Sequence, residues 1–320
     1  SIPSDFQASN VNLFKKNLEN ALSSTSKNAD VSIIKKVEIV NKRNIMYYQP
    51  DGEQRFLKIT TQLPKQVATC RTAIEEGKVE MPNARQYRCQ TFESNVDFVL
   101  RFMNDRQITG CSWVTIPKGK YTLLSPKDKR TFSQIELDTN FESIEGHPCE
   151  GDWMEIPRLR IISFDIEVGG EPDHFPTPDK DPVIQICAYV QVQGDPEPLL
   201  SVAFVLDRCT KLVGTALYQF EDEKGLLLAW RKFVRFIDPD IITGYNINNF
   251  DWPYLTDRAE AIGCKEFCEL GRYIGEYSVA KEVARNIKVL GQREGREIEI
   301  PGVNNYDMLT AIQTDYKLRS

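Results

Sequence analysis

"IISFDIEVGG", residues 161 to 170, is the stretch on which the fold turns. Ile161, Ile162, Phe164, Ile166 and Val168 mark a buried strand, yet Asp165 and Glu167 stand inside it. Side chains alternate along a strand, so Ile161, Ser163, Asp165 and Glu167 share one face, while Ile162, Phe164, Ile166 and Val168 share the other. One face is wholly apolar and the other carries two like charges side by side. In low dielectric such a pair must be neutralised, protonated or placed at an open strand end. A basic side chain or a divalent cation with hard-oxygen preference would neutralise it. A solvated strand end needs neither, and D-x-E is a common triplet, so the strand alone favours that plainer reading.

Two more strand-like runs follow, "PVIQICAYVQV" (182–192) and "PLLSVAFVL" (198–206), the first reached through a proline-rich loop. A helix comes next, with Leu226, Ala229, Trp230, Phe233, Val234 and Ile237 on one face and Arg231, Lys232 and Arg235 on the other. "DPDIITGYN" (238–246) is a short strand, and "NNFDWPYLTDRAEAIG" (248–263) is a helix with Pro253 near its start and Gly263 at its end. Three strands, helix, strand, helix is the opening of a ribonuclease-H-like sheet with a central first strand. "NIKVLGQREGREIEIPG" (286–302) reads as a hairpin with Arg293 and Arg296 toward its tip, either a nucleic-acid contact or a plain surface excursion.

Residues 1–155 read as a separate α+β domain, and residues 156–320 as the second, with the glycines and prolines of "GHPCEGDWMEIPRLR" at the boundary. Ser9 is expected to cap a helix carrying Phe14, Leu18, Ala21 and Leu22, with Leu13 alongside. Pro64 opens a second helix, with Val67, Cys70 and Ile74 on one face and a stop at Gly77. A third helix over 95–105 precedes strands in "GCSWVTIP" and "GKYTLLS". "PKGKYTLLSPKDKR" (117–130) is locally basic, either a phosphate contact or a solvated hairpin.

The 320 residues are 41% hydrophobic and 27% charged, the balance of an ordinary globular protein. The longest apolar runs fall well short of a membrane span, and no signal-peptide pattern is present. A net charge of −6 excludes a uniformly basic surface and leaves room for a local cationic groove. Ser1 in place of Met is what a piece of a longer protein would show. The eight cysteines form no C-x-x-C pair and only His147 and His174 could join them, so no zinc site is expected and reduced thiols are. Cys187 reads as a small core residue.

Asp251 changes the reading of Asp165 and Glu167. It follows the strand "IITGYN" (241–246) at the point where a helix begins, and in this topology that strand lies beside the first. Three acids converging beside a sheet would need cations, and Mg²⁺ suits them. Two such ions, roughly 3.5 to 4 Å apart, can hold a water and a phosphodiester for in-line attack. Asn246 and Phe250 flank the turn and are suited to hydrogen-bond and stack on a terminal nucleotide. Each also has a plain alternative, as a turn residue and a core residue.

"SFDIE", "DPVIQI" and "DPDIITGYNINNFDWPYLTDRA", in this order and spacing, resemble the first two exonuclease motifs of the family B DNA polymerases. "NVDFVLRFMND", "ITGCSWVTIPKGKY" and "YDMLTAIQTDYKLRS" extend the resemblance over essentially the whole chain, most of all to the delta branch. Trp252 departs from that branch, where an aliphatic residue is usual. The resemblance implies a mixed α/β chain: an amino-terminal α+β domain, then a ribonuclease-H-like 3′–5′ proofreading exonuclease. It implies metal-binding and catalytic roles for Asp165, Glu167 and Asp251, with two Mg²⁺ or Mn²⁺ ions, and contacts to the primer end from Asn246 and Phe250. It makes the hairpin at about 287–301 the one that helps part primer from template.

The partners it implies are primer–template DNA with its single-stranded 3′ end, accessory polymerase subunits and a sliding clamp, without a membrane, in the nucleus. The family's third motif, Y-x-x-x-D, would lie beyond Ser320. The strings Tyr47 to Asp51 and Tyr218 to Asp222 precede the second motif and read as coincidences, while Asp307 and Asp315 are later acids in a different family segment. Little hydrolysis is therefore expected of these residues alone, and in the absence of metal Asp165 or Glu167 should be partly protonated or displaced. The alternative is a ribonuclease-H-like module that binds DNA or holds domains together without cutting.

Overall fold

The structure is a computed structural model describing residues 2, 5–23, 33–43, 52–82, 89–287 and 291–316. It forms two compact units, residues 1–115 with 145–148, and residues 116–144 with 149–320. The Tyr47 to Asp51 string, the hairpin tip and the Arg293 side chain lie outside the described residues.

In the first unit, α1 (Val11–Ser23) repeats Phe14, Leu18 and Leu22 every fourth residue, and all three are buried. They meet Ile34 and Val37 of β1 (Ile34–Lys42), which pairs antiparallel with β2 (Gln54–Thr61), and Cys70, Ala73 and Ile74 of α2 (Lys65–Glu75). Leu13 faces outward. Helical structure begins before Ser9: a 3-10 turn, Ala8–Asn10, runs into α1, and the Gln7 amide donates to Asn10 Oδ1 at 2.8 Å. Pro64 opens α2 as its fixed φ allows, and Gly77 at φ 71° ends it. Asp97 caps α3 (Phe98–Arg106), accepting from the Val99 and Leu100 amides.

The strands expected within 110–117 and 119–125 shrink to β3 (Val114–Thr115) and β4 (Tyr121–Leu123), paired respectively with β6 and β5. Here β5 is Leu137–Thr139 and β6 is Glu145–Gly146.

The second unit is built on β7 (Arg160–Val168), β8 (Val183–Val192), β9 (Leu200–Leu206), β10 (Ala216–Phe220) and β11 (Ile241–Gly244), with helices α4 (Glu223–Ile237) and α5 (Asp251–Ala261). The hairpin β12 (Ala280–Ile287) and β13 (Gly291–Ile298) follows, then β14 (Asn304–Asp307) and α6 (Met308–Tyr316). The main sheet runs β10-β9-β8-β7-β11-β14. β8 is antiparallel to β7 and β9, whereas β11 lies parallel to both β7 and β14. The first strand is central and the strand after α4 lies beside it, as expected. β10, parallel to β9, was not expected: Tyr218 and Gln219 break its apolar pattern. It also disposes of the second Y-x-x-x-D string, since Tyr218 lies on β10 while Asp222 caps α4 through the Gly225 amide at 2.8 Å.

The apolar face of β7 makes the core. Phe164 packs on Trp230 of α4 and Trp252 of α5, with ring centroids 5.5 and 4.7 Å apart, and Ile162 and Ile166 are buried beside it. The residues 116–144 attach to this unit through Phe132, whose amide donates to the Arg272 carbonyl at 2.7 Å and whose ring lies under Arg235.

Candidate active site

Asp165 and Glu167 stand on the β7 face opposite this core, and both are exposed. The sheet therefore does not bury them, and the strand can carry two acids because only its other face enters the core. Cys187 of β8 sits opposite Asp165 in the register and is half-buried on the acid face rather than in the core. Burial pushes its thiol up, and the Asp165 and Glu167 charges add to this.

β11 brings the third acid. Its last residue, Gly244, passes so close to β7 that a Cβ there would lie 2.5 Å from the Phe164 carbonyl oxygen, so only glycine fits. The chain then turns through 245–250 and enters α5 at Asp251, which is 1% exposed. Asp251 Oδ1 accepts from the Ile166 amide at 3.1 Å, next along β7 to Asp165, whose charge opposes its own. Burial, and next the neighbouring Asp165 charge, push the Asp251 carboxyl up to about 7, against the pull of the amides it accepts from. Asp251 is thus an acid that favours its proton in the absence of a cation. Two of the three predicted acids, Asp165 and Asp251, are brought near enough for their charges to oppose each other. Glu167 stands two residues along the same face, and among the described residues no three such side chains are gathered into a ready cation cage.

The loop that delivers Asp251 is held at every turn. Asn246 has φ 62°, a left-handed conformation that asparagine tolerates. Its amide donates to Asp307 Oδ1 at 2.9 Å, its carbonyl accepts from the Asn249 and Phe250 amides, and its Oδ1 accepts from Asn249 Nδ2. Phe250 is half-buried, edge-on to Phe175 at 6.0 Å and tilted against Tyr254 at 5.7 Å. Phe175 is 78% exposed, so the rings form a step that ends in solvent. The loop bearing Phe175 is fastened below it: Tyr254 Oη donates to the Asp181 carbonyl and Arg258 to the Pro178 carbonyl, both at 2.9 Å. Arg258 also forms a buried pair with Glu223 at 2.8 Å.

Three contributors escaped the sequence reading. Asp307 appears there only as a later acid, yet it is 5% exposed and accepts from the Asn246, Asn248 and Leu309 amides. Its importance shows only once β14 is known to pair with β11. Phe175 lies in a loop without periodicity. Trp252 donates from Nε1 to Asn305 Oδ1 at 3.0 Å, and Asn305 Nδ2 donates to Asn248 Oδ1 at 2.6 Å, so the residue that departs from the delta pattern is tied into the site loop.

The hairpin is longer than expected, pairing from Ala280 with Ile298 to Ile287 with Gly291. Arg296 is not at its tip. It lies near the base and pairs with Asp257 of α5 at 2.6 and 2.9 Å. Beside it, Gly295 comes within a side chain's breadth of Asn249, whose Oδ1 would be 3.1 Å from an added Cβ.

Residues 89–320 match the family model for the exonuclease domain of DNA polymerase family B. The chain belongs to the family B DNA polymerases. Among its relatives, the DNA polymerase delta catalytic subunit of Oryza sativa subsp. japonica is 38% identical over 322 residues, covering 100% of this chain and 29% of the rice protein. That of Arabidopsis thaliana is 41% identical over 96% of this chain, and that of Bos taurus 40% identical over 89%. These alignments cover 28% and 26% of the respective proteins, so the chain spans less than a third of the length of the curated relatives it matches. A solved family B DNA polymerase from the hyperthermophilic archaeon Pyrobaculum calidifontis shares the fold, with a TM-score of 0.56 and 22% identity over 94% of this chain and 31% of that one. Among the described residues no helix is long and apolar enough to cross a membrane.

Proposed function

We propose that this family B chain carries most of a 3′–5′ exonuclease site that proofreads the primer end for a replicative DNA-directed DNA polymerase. The observation that carries this reading is the meeting of Asp251 with Asp165 where α5 begins beside β7. A fold that only needed stability would gain nothing from pressing two carboxylates together, one of them 1% exposed. Their oxygens are hard donors, and Asp165, Asp251 and Glu167 fit Mg²⁺ or Mn²⁺ by chemistry and by the unmet need for positive charge.

Bound there, two such ions would activate the attacking water and stabilise the leaving 3′ oxygen of the terminal phosphodiester. The chain's own residues would grip the nucleotide. The Asn246 side-chain Nδ2 has no protein partner among the described hydrogen bonds and would donate to the primer end, while the Phe250 face would stack on its base. The hairpin β12–β13 would stand beside the separated strand. The proposed division is an amino-terminal domain over 1–155 and the exonuclease domain over 156–320, working in the nucleus with primer–template DNA, accessory subunits and a sliding clamp.

No Y-x-x-x-D string follows Asp251 in these 320 residues, so the fourth carboxylate of the family site is not among them and slow hydrolysis is expected of this chain. The test is degradation of 5′-labelled single-stranded DNA with Mg²⁺ or Mn²⁺ by the chain, by Asp165→Ala, and by a version extended through the next Y-x-x-x-D string of the full-length sequence. Stepwise 3′ loss that appears on extension and vanishes with Asp165→Ala is the expected result. An extended protein that neither cuts nor binds the cation would leave a non-cutting DNA-binding module as the better reading.

A further inference from the structure

Asp307 lies outside the acid pair, and its carboxylate faces the opposite end of the same loop. Gly244 and Asp307 are register partners where β11 and β14 run side by side, so the chain leaves β11 with the Asp307 carboxylate directly at hand. Oδ1 accepts from the Asn246 amide at 2.9 Å and from the Leu309 amide at 2.9 Å, and Oδ2 accepts from the Asn248 amide at 3.0 Å. Two alternate amides of the loop are thereby fixed by one rigid group. The intervening Ile247 is buried and its carbonyl accepts from the Trp252 amide at 2.9 Å, which ties the same turn to the first residues of α5. A left-handed asparagine whose amide, carbonyl and Oδ1 are all engaged can move only with its anchor, and its Nδ2 is the one polar group left over.

We propose that Asp307 is a positioning residue for the nucleic-acid end: it holds Asn246 in its left-handed conformation so that Nδ2 is presented to a single-stranded 3′ terminus. This rests on the exonuclease reading of the site and adds to it a buried acid that touches neither substrate nor cation. It also separates the roles of the acids. Asp251 takes the Ile166 amide and has the Asp165 charge beside it, whereas Asp307 has three backbone amides as donors. Leu309, the third amide, belongs to α6, so Asp307 also caps that helix and joins its start to the site loop.

The test uses a 5′-fluorescent oligothymidylate of about ten nucleotides with a free 3′ hydroxyl, bound in EDTA to the wild-type chain, Asp307→Asn, Asp307→Ala, Asn246→Ala and the double variant. Amide hydrogen exchange at residues 246 and 248 is followed in the same proteins. Loss of bonds to a charged acceptor should weaken oligonucleotide binding on the order of tenfold in Asp307→Ala, with the isosteric Asp307→Asn between the two. Exchange at 246 and 248 should quicken while the β7 and β11 amides keep their protection.

In the Asn246→Ala background, Asp307→Ala should cost less than about twofold, because the acid acts through that asparagine. A purely structural role would give equal losses in both backgrounds, and that result overturns the proposal. So does unchanged exchange at 246 and 248 in both Asp307 variants. If Asp307→Ala does not fold, Asp307→Asn carries the same comparison. If the wild-type chain binds no oligonucleotide, the exonuclease reading fails at this step, and slow exchange surviving in Asp307→Asn would separately remove the clamp.

Discussion

The start of α5 and the end of β14 each bury an aspartate, and they treat it oppositely. Asp307, 5% exposed, receives three backbone amides and faces no other carboxylate in any described contact. Asp251, 1% exposed, takes the Ile166 amide and faces Asp165. A buried carboxylate is tolerated when the protein supplies donors, and the number supplied shows what else it awaits. Where the backbone provides them, the acid is part of the scaffold. Where the backbone supplies fewer and a like charge stands beside it, the acid is waiting for a proton or a cation.

Neutralising each acid should therefore change stability with opposite sign, which is the largest effect and the most direct way to break the contrast. Asp307→Ala orphans three amides that bond to a charged acceptor and is expected to cost about 4 kcal/mol, allowing for some rescue by water. Asp251→Asn keeps an oxygen for the Ile166 amide and removes the repulsion, so at pH 8 without metal it should stabilise the fold by about 2–3 kcal/mol. Urea unfolding of both variants at pH 8 in EDTA gives the two signs. Destabilisation by both would mean that the Asp251 charge is satisfied after all.

The same contrast extends along the pH axis. Asp251 titrates near 3.8 when unfolded and at about 7 when folded, so between these values the folded state binds more protons. Its contribution is fully present below about pH 4, declines as pH rises and is lost above about 7. Metal-free protein should accordingly lose about 2–3 kcal/mol from this group between pH 4.5 and 8, and Asp251→Asn should flatten that part of the curve. A slope that survives unchanged in Asp251→Asn would assign it to other groups.

Cation binding is the next and smaller effect. Mn²⁺ must displace the Asp251 proton, so its affinity should fall about tenfold from pH 8 to pH 6. By calorimetric titration, Asp165→Ala should abolish binding, whereas Asp307→Asn should leave it within about threefold of wild type. Loss of Mn²⁺ binding in Asp307→Asn would place that acid in the cation site and merge the two regions.

Much of the sheet was legible because its signals are local. Alternation in β7, the four-residue apolar spacing of α4, and Pro253 and Gly263 at the ends of α5 each follow from a few neighbouring residues. β10 was missed because Tyr218 and Gln219 blur the alternation, and Arg296 was placed at the hairpin tip because register cannot be read without both strands. Within the site, Asp165 and Glu167 were visible as a conflict between charge and strand pattern, and the family motif pointed to Asp251. Which acid would hold the proton was not legible, since it depends on depth: the β7 acids look out, while the residue that opens α5 looks in. Asp307 was hidden for a related reason. Its three partners are main-chain amides, which any sequence supplies, and two of them are brought to it from some sixty positions away by the pairing of β11 with β14.

A neutral bond in the same place supplies the finest comparison. Thr243 Oγ1 donates to the Tyr306 carbonyl at 2.6 Å, one register step before Gly244 and Asp307 on the same pair of strands. It spans β11 and β14 as the Asp307 bonds span loop and strand, but no charge is involved and Thr243 is not deeply buried. Thr243→Val keeps the shape, removes one neutral bond and should cost about 1 kcal/mol, equally at pH 5 and pH 8. It should leave Mn²⁺ affinity and amide exchange at 246 and 248 unchanged, because those amides answer to the carboxylate and not to the strand pairing beside it. If Thr243→Val frees the loop as fully as Asp307→Asn does, the pairing of β11 with β14 holds Asn246 in place. The carboxylate would then be an accessory to the sheet, and the contrast between the two buried acids would narrow to the proton alone.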